Sequence, residues 1–304
     1  MTTDQDFLEA SLDRELYQSL SVNRTFFNRG MTILAFTLTA VALLLLFAIL
    51  FEILRQGLGQ LKWDVLVSLP APVGVTDRSN GFANAILGTL LMVGIACLFS
   101  IPVGVLTGIF LAEFSKDSAG ANYIRFMTVI LSSVPSIVVG VFAYGVIVLA
   151  TKGASAIAGG FALGVIMIPI IALSTEEALK LVPTSHRLAS AALGGGRFQT
   201  TLRIVVASAL PGITTGVLLA VARAAGETAP LIFTARSTQF WPKFSLQGLF
   251  EPTPSLSVLI YNYASSPYKE QNKLAWTASV VLIGLVLLSS ILSRQVTRKR
   301  LKIR

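Results

Sequence analysis

The sequence predicts an all-α integral membrane protein with six transmembrane helices, and three observations carry that reading. Only 13% of the 304 residues are charged, against ~25% in soluble globular domains, while 54% are hydrophobic. Uncharged stretches cover residues 33 to 51, 82 to 112, 126 to 151, 153 to 175, 204 to 222 and 274 to 293, each close to the ~20 residues a helix needs to cross hydrocarbon. Runs this long and continuous satisfy their own backbone as helices and lack the alternation of barrel strands. The same composition argues against a water-soluble enzyme.

The first run follows a polar arm, residues 1 to 29, and exceeds the ~7 to 15 residues of a signal-peptide core, so a retained helix is expected. Within the arm, Leu8, Leu12, Leu16 and Leu20 recur every fourth position among acids, a weak amphipathic pattern suited to a membrane surface or a partner. The second run is longer than a simple span, and Pro102 within it removes a backbone donor and frees the carbonyl of Leu98. Pro135 and Pro169 are expected to kink the third and fourth runs in the same way. Only Lys152 and Gly153 separate those two runs, which predicts a tight hairpin. Between the fourth and fifth runs lies a polar loop, residues 176 to 203; between the fifth and sixth lies another, residues 236 to 273, whose Trp241, Tyr261, Tyr263 and Tyr268 suit a membrane interface and whose prolines suit a folded loop.

Six crossings place both ends of the chain on one side. Assigning residues 1 to 29, 112 to 125, 176 to 203 and 294 to 304 to that side gives it 15 of the 24 Lys and Arg, against 8 on the other. By the positive-inside rule both termini are expected to be cytoplasmic, with Arg294, Arg298, Lys299, Arg300, Lys302 and Arg304 forming a basic cytoplasmic tail. The net charge of +9 is read as topology rather than as nucleic-acid binding. The organisation expected is therefore an arm over 1–29, a single transmembrane domain over 30–293 and the tail over 294–304.

The remaining cation, Arg223, lies inside the fifth apolar segment with Glu227. If that helix spans about residues 210 to 235, both charges sit near mid-membrane, where an ionised group costs at least ~2.5 to 3.5 kcal/mol. A spacing of four puts them on one helix face, and Pro230 is expected to free the carbonyl of Gly226 beside them. Two readings compete: an interhelical ion pair that fixes packing, and a water-lined path in which Arg223 meets an anion while Glu227 holds it or trades contacts with it. Intramembrane charges default to function, and a guanidinium suits a phosphate-like oxyanion because its forked donors engage two oxygens at once. These residues do not name the anion. They also leave open a secondary transporter in which Glu227 carries a proton, and a membrane scaffold.

No G-x-x-x-x-G-K-[ST] loop and no H-E-x-x-H element occurs, and His186 is the sole histidine. Hydrolysis of ATP or binding of a catalytic metal by this chain is not expected. The single cysteine, Cys97, reads as packing. Gly194-Gly195-Gly196-Arg197 lacks the Lys and Ser/Thr of a P-loop and reads as a turn between short helices, with His186 a surface residue of the same loop.

Residues Leu188-Ala189-Ser190-Ala191-Ala192-Leu193-Gly194, followed after nine residues by Ile204-Val205-Val206-Ala207, resemble the cytoplasmic EAA motif of binding-protein-dependent ABC importer permeases, E-A-A-x-x-x-G, nine residues, I-x-L-P. The spacing and the glycine match; Leu188 stands for the Glu, and Val206-Ala207 for the Leu-Pro. More specific is Ala222-Arg223-Ala224-Ala225-Gly226-Glu227-Thr228-Ala229-Pro230-Leu231, with Phe233-Thr234-Ala235, Gln239-Phe240-Trp241, Ser266-Pro267 and Leu274-Ala275-Trp276. This is similar to the PstA-type permeases of high-affinity phosphate ABC importers, from about residue 82 to the end.

The resemblance implies a type I importer (MetI-like) permease fold and an inner-membrane location. It implies a homologous second permease as heterodimer partner, an ATPase dimer carrying ATP and Mg, an external phosphate-binding protein, and no cofactor on this chain itself. It places the substrate pathway at Arg223, Glu227, Thr228 and Pro230, and the ATPase-coupling loop at Leu188, Ala189, Ser190, Gly194, Gly195 and Ile204. Molybdate or sulfate would fit the same machine.

Overall fold

The computed structural model describes residues 22–72, 74, 79–115 and 118–302, with the backbone alone for 292–294 and 296–302. Most of the expected arm, and the side chains of the basic tail, lie outside the described residues. All regular elements among the described residues are helices. Helix α1 (Val22–Gly57) contains the first apolar run. The chain divides into two units, Met1–Glu52 and Ile53–Arg304. In the first, α1 is apolar on every side and exposes Phe26, Ile33, Phe36, Leu44, Phe47 and Phe51, as a helix in lipid does.

In the second unit, the last turn of α1 packs on α12 (Lys269–Lys302). A Cβ on Gly57 would meet the Trp276 carbonyl at 2.6 Å, and the Thr277 hydroxyl donates to the Gly57 carbonyl at 3.1 Å. A short helix, α2 (Trp63–Val67), precedes α3 (Ala83–Ile109). Two helices follow, α4 (Ala119–Ser133) and α5 (Ser136–Ala143), the second continuing through a π turn to Thr151, and then α6 (Ala156–Lys180).

The core is built on α3 and α6, which run parallel because their contacts advance in step: Met92 with Gly159, Ile95 with Gly160, Phe99 with Gly164, Gly104 with Ile171 and Gly108 with Thr175. Ser100 lies on Met167 between these pairs. Pro102 and Pro169 are therefore level with each other. Glycines on one helix or the other at every step let the backbones approach closely, as membrane helices do in the absence of a hydrophobic drive between them.

Parallel α3 and α6 require the chain to return between them, and α4 with α5 makes that return. Here the structure corrects the third expected span. It is two helices bent by 101° rather than one kinked helix. Pro135 excludes helical backbone at Val134, which sits at φ −66°, ψ 130°, so the chain leaves α4 and restarts with Pro135 as the cap of α5. At its far end Lys152 adopts φ 59°, and the Ser155 hydroxyl accepts from the Ala158 N–H to cap α6, which gives the tight hairpin expected.

The polar segment beyond α6 folds as α7 (Thr184–Ala192) and α8 (Arg197–Thr200), which passes through a π turn at Thr201–Val205 into α9 (Val206–Gly226). Gly212 against Ala178 and Gly216 against Ser174 make α9 antiparallel to α6. A six-residue helix, α10 (Ala229–Thr234), follows, then a loop, α11 (Leu256–Ala264) and α12. The loop is folded, as its prolines suggest. Ser155 donates to the Thr234 carbonyl, Thr253 to that of Ala235, and Asn84 to that of Thr238. Leu256 and Leu259 of α11 are buried with Phe82, Leu274 and Ala278. The end of the bundle that carries α7 and α8 is the loop end, and the opposite one the hairpin end.

Candidate functional site

Arg223 and Glu227 face each other across a helix break. Extending the α6–α9 register brings Arg223 level with Met167, near the middle of α6, and Ala220 and Ala224 share a buried cluster with Leu163, Met167 and Ile171. Pro102 and Pro169 lie within about one turn of the same level.

The helix expected over residues 210 to 235 ends at Gly226 instead. In a continuing helix Pro230 would clash with the Gly226 carbonyl. The chain instead turns extended at Glu227 (φ −70°, ψ 129°) and restarts at Ala229, with Pro230 in the first turn, where no N–H is needed. Glu227 is thus a cap residue and not a member of the Arg223 helix face. The two side chains still pair, Arg223 Nε to Glu227 Oε1, at 3.3 Å.

Exposure separates the pair: the Arg223 side chain is 51% exposed and that of Glu227 16%. Arg223 reaches Glu227 through Nε alone, so its two terminal amino groups are uncommitted among the described residues. Thr228 caps α10 through its backbone, with no side-chain hydrogen bond. Pro230 is buried against α5, where a Cβ on Gly140 would stand 2.6 Å from the Pro230 Cα. The broken return span and the broken α9–α10 segment therefore pack against each other.

Sequence reasoning missed Ser257. Its hydroxyl donates to the Glu227 carbonyl at 2.8 Å, which satisfies a group that the helix break would orphan. The same region of α11 is held by Thr89, whose hydroxyl accepts from the Leu256 N–H at 2.8 Å. Nothing in the local sequence marks Ser257, because its role depends on a contact thirty positions away in the chain.

The residues expected to form a coupling loop do form one structure. Gly194 takes φ +78° after α7; its N–H donates to the Ala191 carbonyl and that of Gly195 to the Ser190 carbonyl, a Schellman ending. The Ser190 and Thr200 hydroxyls meet at 2.8 Å and join α7 to α8. A Cβ on Gly195 would strike Ser190, which explains a second glycine. Ala189 is exposed on α7, with Leu188 70% and Leu193 91% exposed, while Ile204 is half-buried in the π turn. His186 is exposed, at the rim of a cleft of about 760 Å³ between α6 and α9. The structure keeps this loop apart from Arg223 by most of the length of α9.

Residues 104–302 match the family described as binding-protein-dependent transport system inner membrane component. The chain is 40% identical to the phosphate transport system permease protein PstA of Haemophilus influenzae, over 88% of this chain and 92% of that one. It is 34% identical to the probable phosphate transport system permease protein PstA of Methanocaldococcus jannaschii, over 82% and 86%. Among solved structures, a chain of a bacterial alginate ABC transporter matches with a TM-score of 0.60 at 14% identity, over 90% of this chain and 96% of that one. A chain of the MetNI methionine ABC transporter matches with a TM-score of 0.56 at 20% identity, over 71% and 93%. These two likenesses show the fold.

Proposed function

The chain belongs to the PstA family of phosphate transport system permease proteins, within the binding-protein-dependent transport system inner membrane components, and from that premise we propose that it forms half of the translocation pathway of an ATP-driven phosphate importer. A homologous permease supplies the other half. Of an ATPase dimer one copy docks on α7 and α8 and the other on the partner permease, and an external binding protein delivers phosphate at the hairpin end. The loop end is cytoplasmic, as are both termini, in agreement with the excess of Lys and Arg assigned to that side.

The observation that carries this reading is the open edge of Arg223. A guanidinium half in solvent at mid-depth, tethered by one long contact, has its forked donors available to a tetrahedral oxyanion. Glu227 keeps that cation oriented when no anion is present and competes for it when one is. Phosphate is therefore held weakly and leaves readily, as a conduit requires. Closing and reopening of the ATPase pair moves α7, and the bundle alternates between openings at its two ends.

The test is phosphate uptake by the complete importer in liposomes, with the binding protein outside and ATP enclosed. Uptake that needs ATP, persists when the proton gradient is collapsed and is not inhibited by sulfate or molybdate is the expected result. Uptake that follows the proton gradient without ATP would make the chain a secondary transporter, and uptake of another oxyanion alone would move the substrate.

A further inference from the structure

The loop end holds an ion-pair cluster that no part of the pathway accounts for. Glu113 lies in the π turn Phe110–Phe114 that ends α3, and its side chain is only 8% exposed. Arg187 reaches it from α7, with Nη2 at 2.6 Å from Oε1 and Nε at 3.3 Å from Oε2. The same guanidinium donates to the carbonyl of Leu179, in the last turn of α6, at 3.0 Å and to that of Val182, just beyond it, at 2.6 Å. Arg197 of α8 donates to the Glu113 backbone carbonyl and lies over the Phe114 ring, 5.4 Å from its centre. One side chain thus joins α7 to the ends of α3 and α6, which carry Pro102 and Pro169 level with each other and with Arg223.

We infer that Arg187 and Glu113 are positioning residues that transmit movement of α7 to α3 and α6. The inference rests on the importer reading above. Three features favour a transmission role over simple anchoring. The fork of Arg187 addresses two helices at once, so α7 cannot shift without moving both. The pair is largely desolvated, and a buried pair resists being pulled apart because separation leaves a charge uncompensated. Glu113 itself sits in a π turn and another follows α8 at Thr201–Val205, and single π turns of this kind recur at functional sites. Glu176, paired with Arg125 and Lys180 at 2.7 Å each, is an ion pair at the same end whose carboxylate makes no hydrogen bond to α7 among the described residues, and it provides the contrast.

The experiment measures ATP hydrolysed and phosphate imported in the same proteoliposomes for the native complex, Arg187→Gln, Glu113→Gln, Arg187→Lys and Arg125→Gln. Hydrolysis persists in Arg187→Gln and Glu113→Gln while phosphate moved per ATP falls by roughly tenfold or more. Arg187→Lys, which keeps the charge and loses the fork, lies between them and the native ratio, and Arg125→Gln keeps the native ratio. An unchanged ratio in both Gln variants overturns the inference, as does an equal fall in Arg125→Gln. If neither Gln variant nor Arg187→Lys assembles, the cluster is a folding element and the inference also fails. A native complex with no ATP-driven phosphate uptake refutes instead the importer reading on which it rests.

Discussion

At the residue scale the central fact is an asymmetry between two charges. Arg223 is half-exposed with most of its donors uncommitted among the described residues, whereas Glu227 is mostly covered and has its backbone carbonyl satisfied by Ser257. The cation is therefore the accessible partner and the acid the covered one. Arg223→Lys keeps charge but not the fork, so uptake should drop by roughly tenfold, about 1.4 kcal/mol, with assembly intact by pull-down; uptake at the native rate would mean that only charge is needed. The sequence exposed both residues, since a charge within a long apolar run is conspicuous. It could not show that they straddle a break, because a four-residue spacing suggests a shared helix face until Pro230 is seen to open a new helix.

At the element scale, breaks and close approaches set the geometry. Gly140 lets the return span lie against Pro230. Gly140→Val would place branched carbon against backbone and should cost at least about 1–3 kcal/mol through overpacking, read as a lower melting temperature of the purified complex; unchanged melting would show that the two broken segments do not pack as described. In the coupling loop the two glycines differ. Gly194→Ala meets open space and bears only the strain of its positive φ, about 1–2 kcal/mol, whereas Gly195→Ala strikes the Ser190 carbonyl, and its complex should melt lower than that of Gly194→Ala. Equal melting would contradict the close approach of Gly195 to Ser190. The turn was legible from the glycines. The 101° break of the third span was not, because hydropathy records how long a segment is apolar and not whether it is continuous.

For the second unit as a whole, direction is the informative quantity. Parallel α3 and α6, antiparallel α9, and an α12 whose start packs beside Phe82 at the start of α3 require the bent pair to count as one crossing. The second unit therefore counts five crossings, and α12 runs from the hairpin end towards the loop end; α1 is a further span by length and composition. A fluorescent protein fused after Arg304 should therefore fold and fluoresce in the cytoplasm, whereas alkaline phosphatase at the same point should be inactive; the opposite pair of results would reverse the orientation. The number of apolar spans could be read from the apolar runs. The clamp of Arg187 on Glu113 could not, since the two are distant in the chain and neither stands out in a polar segment. The proposed transport depends on Arg223 acting on the transported anion. The most direct measurement is ATP-driven phosphate uptake by the reconstituted complex carrying Arg223→Ala, alongside a pull-down of all its subunits. Loss of uptake from a fully assembled complex is the predicted result, and native uptake from that same complex would contradict it.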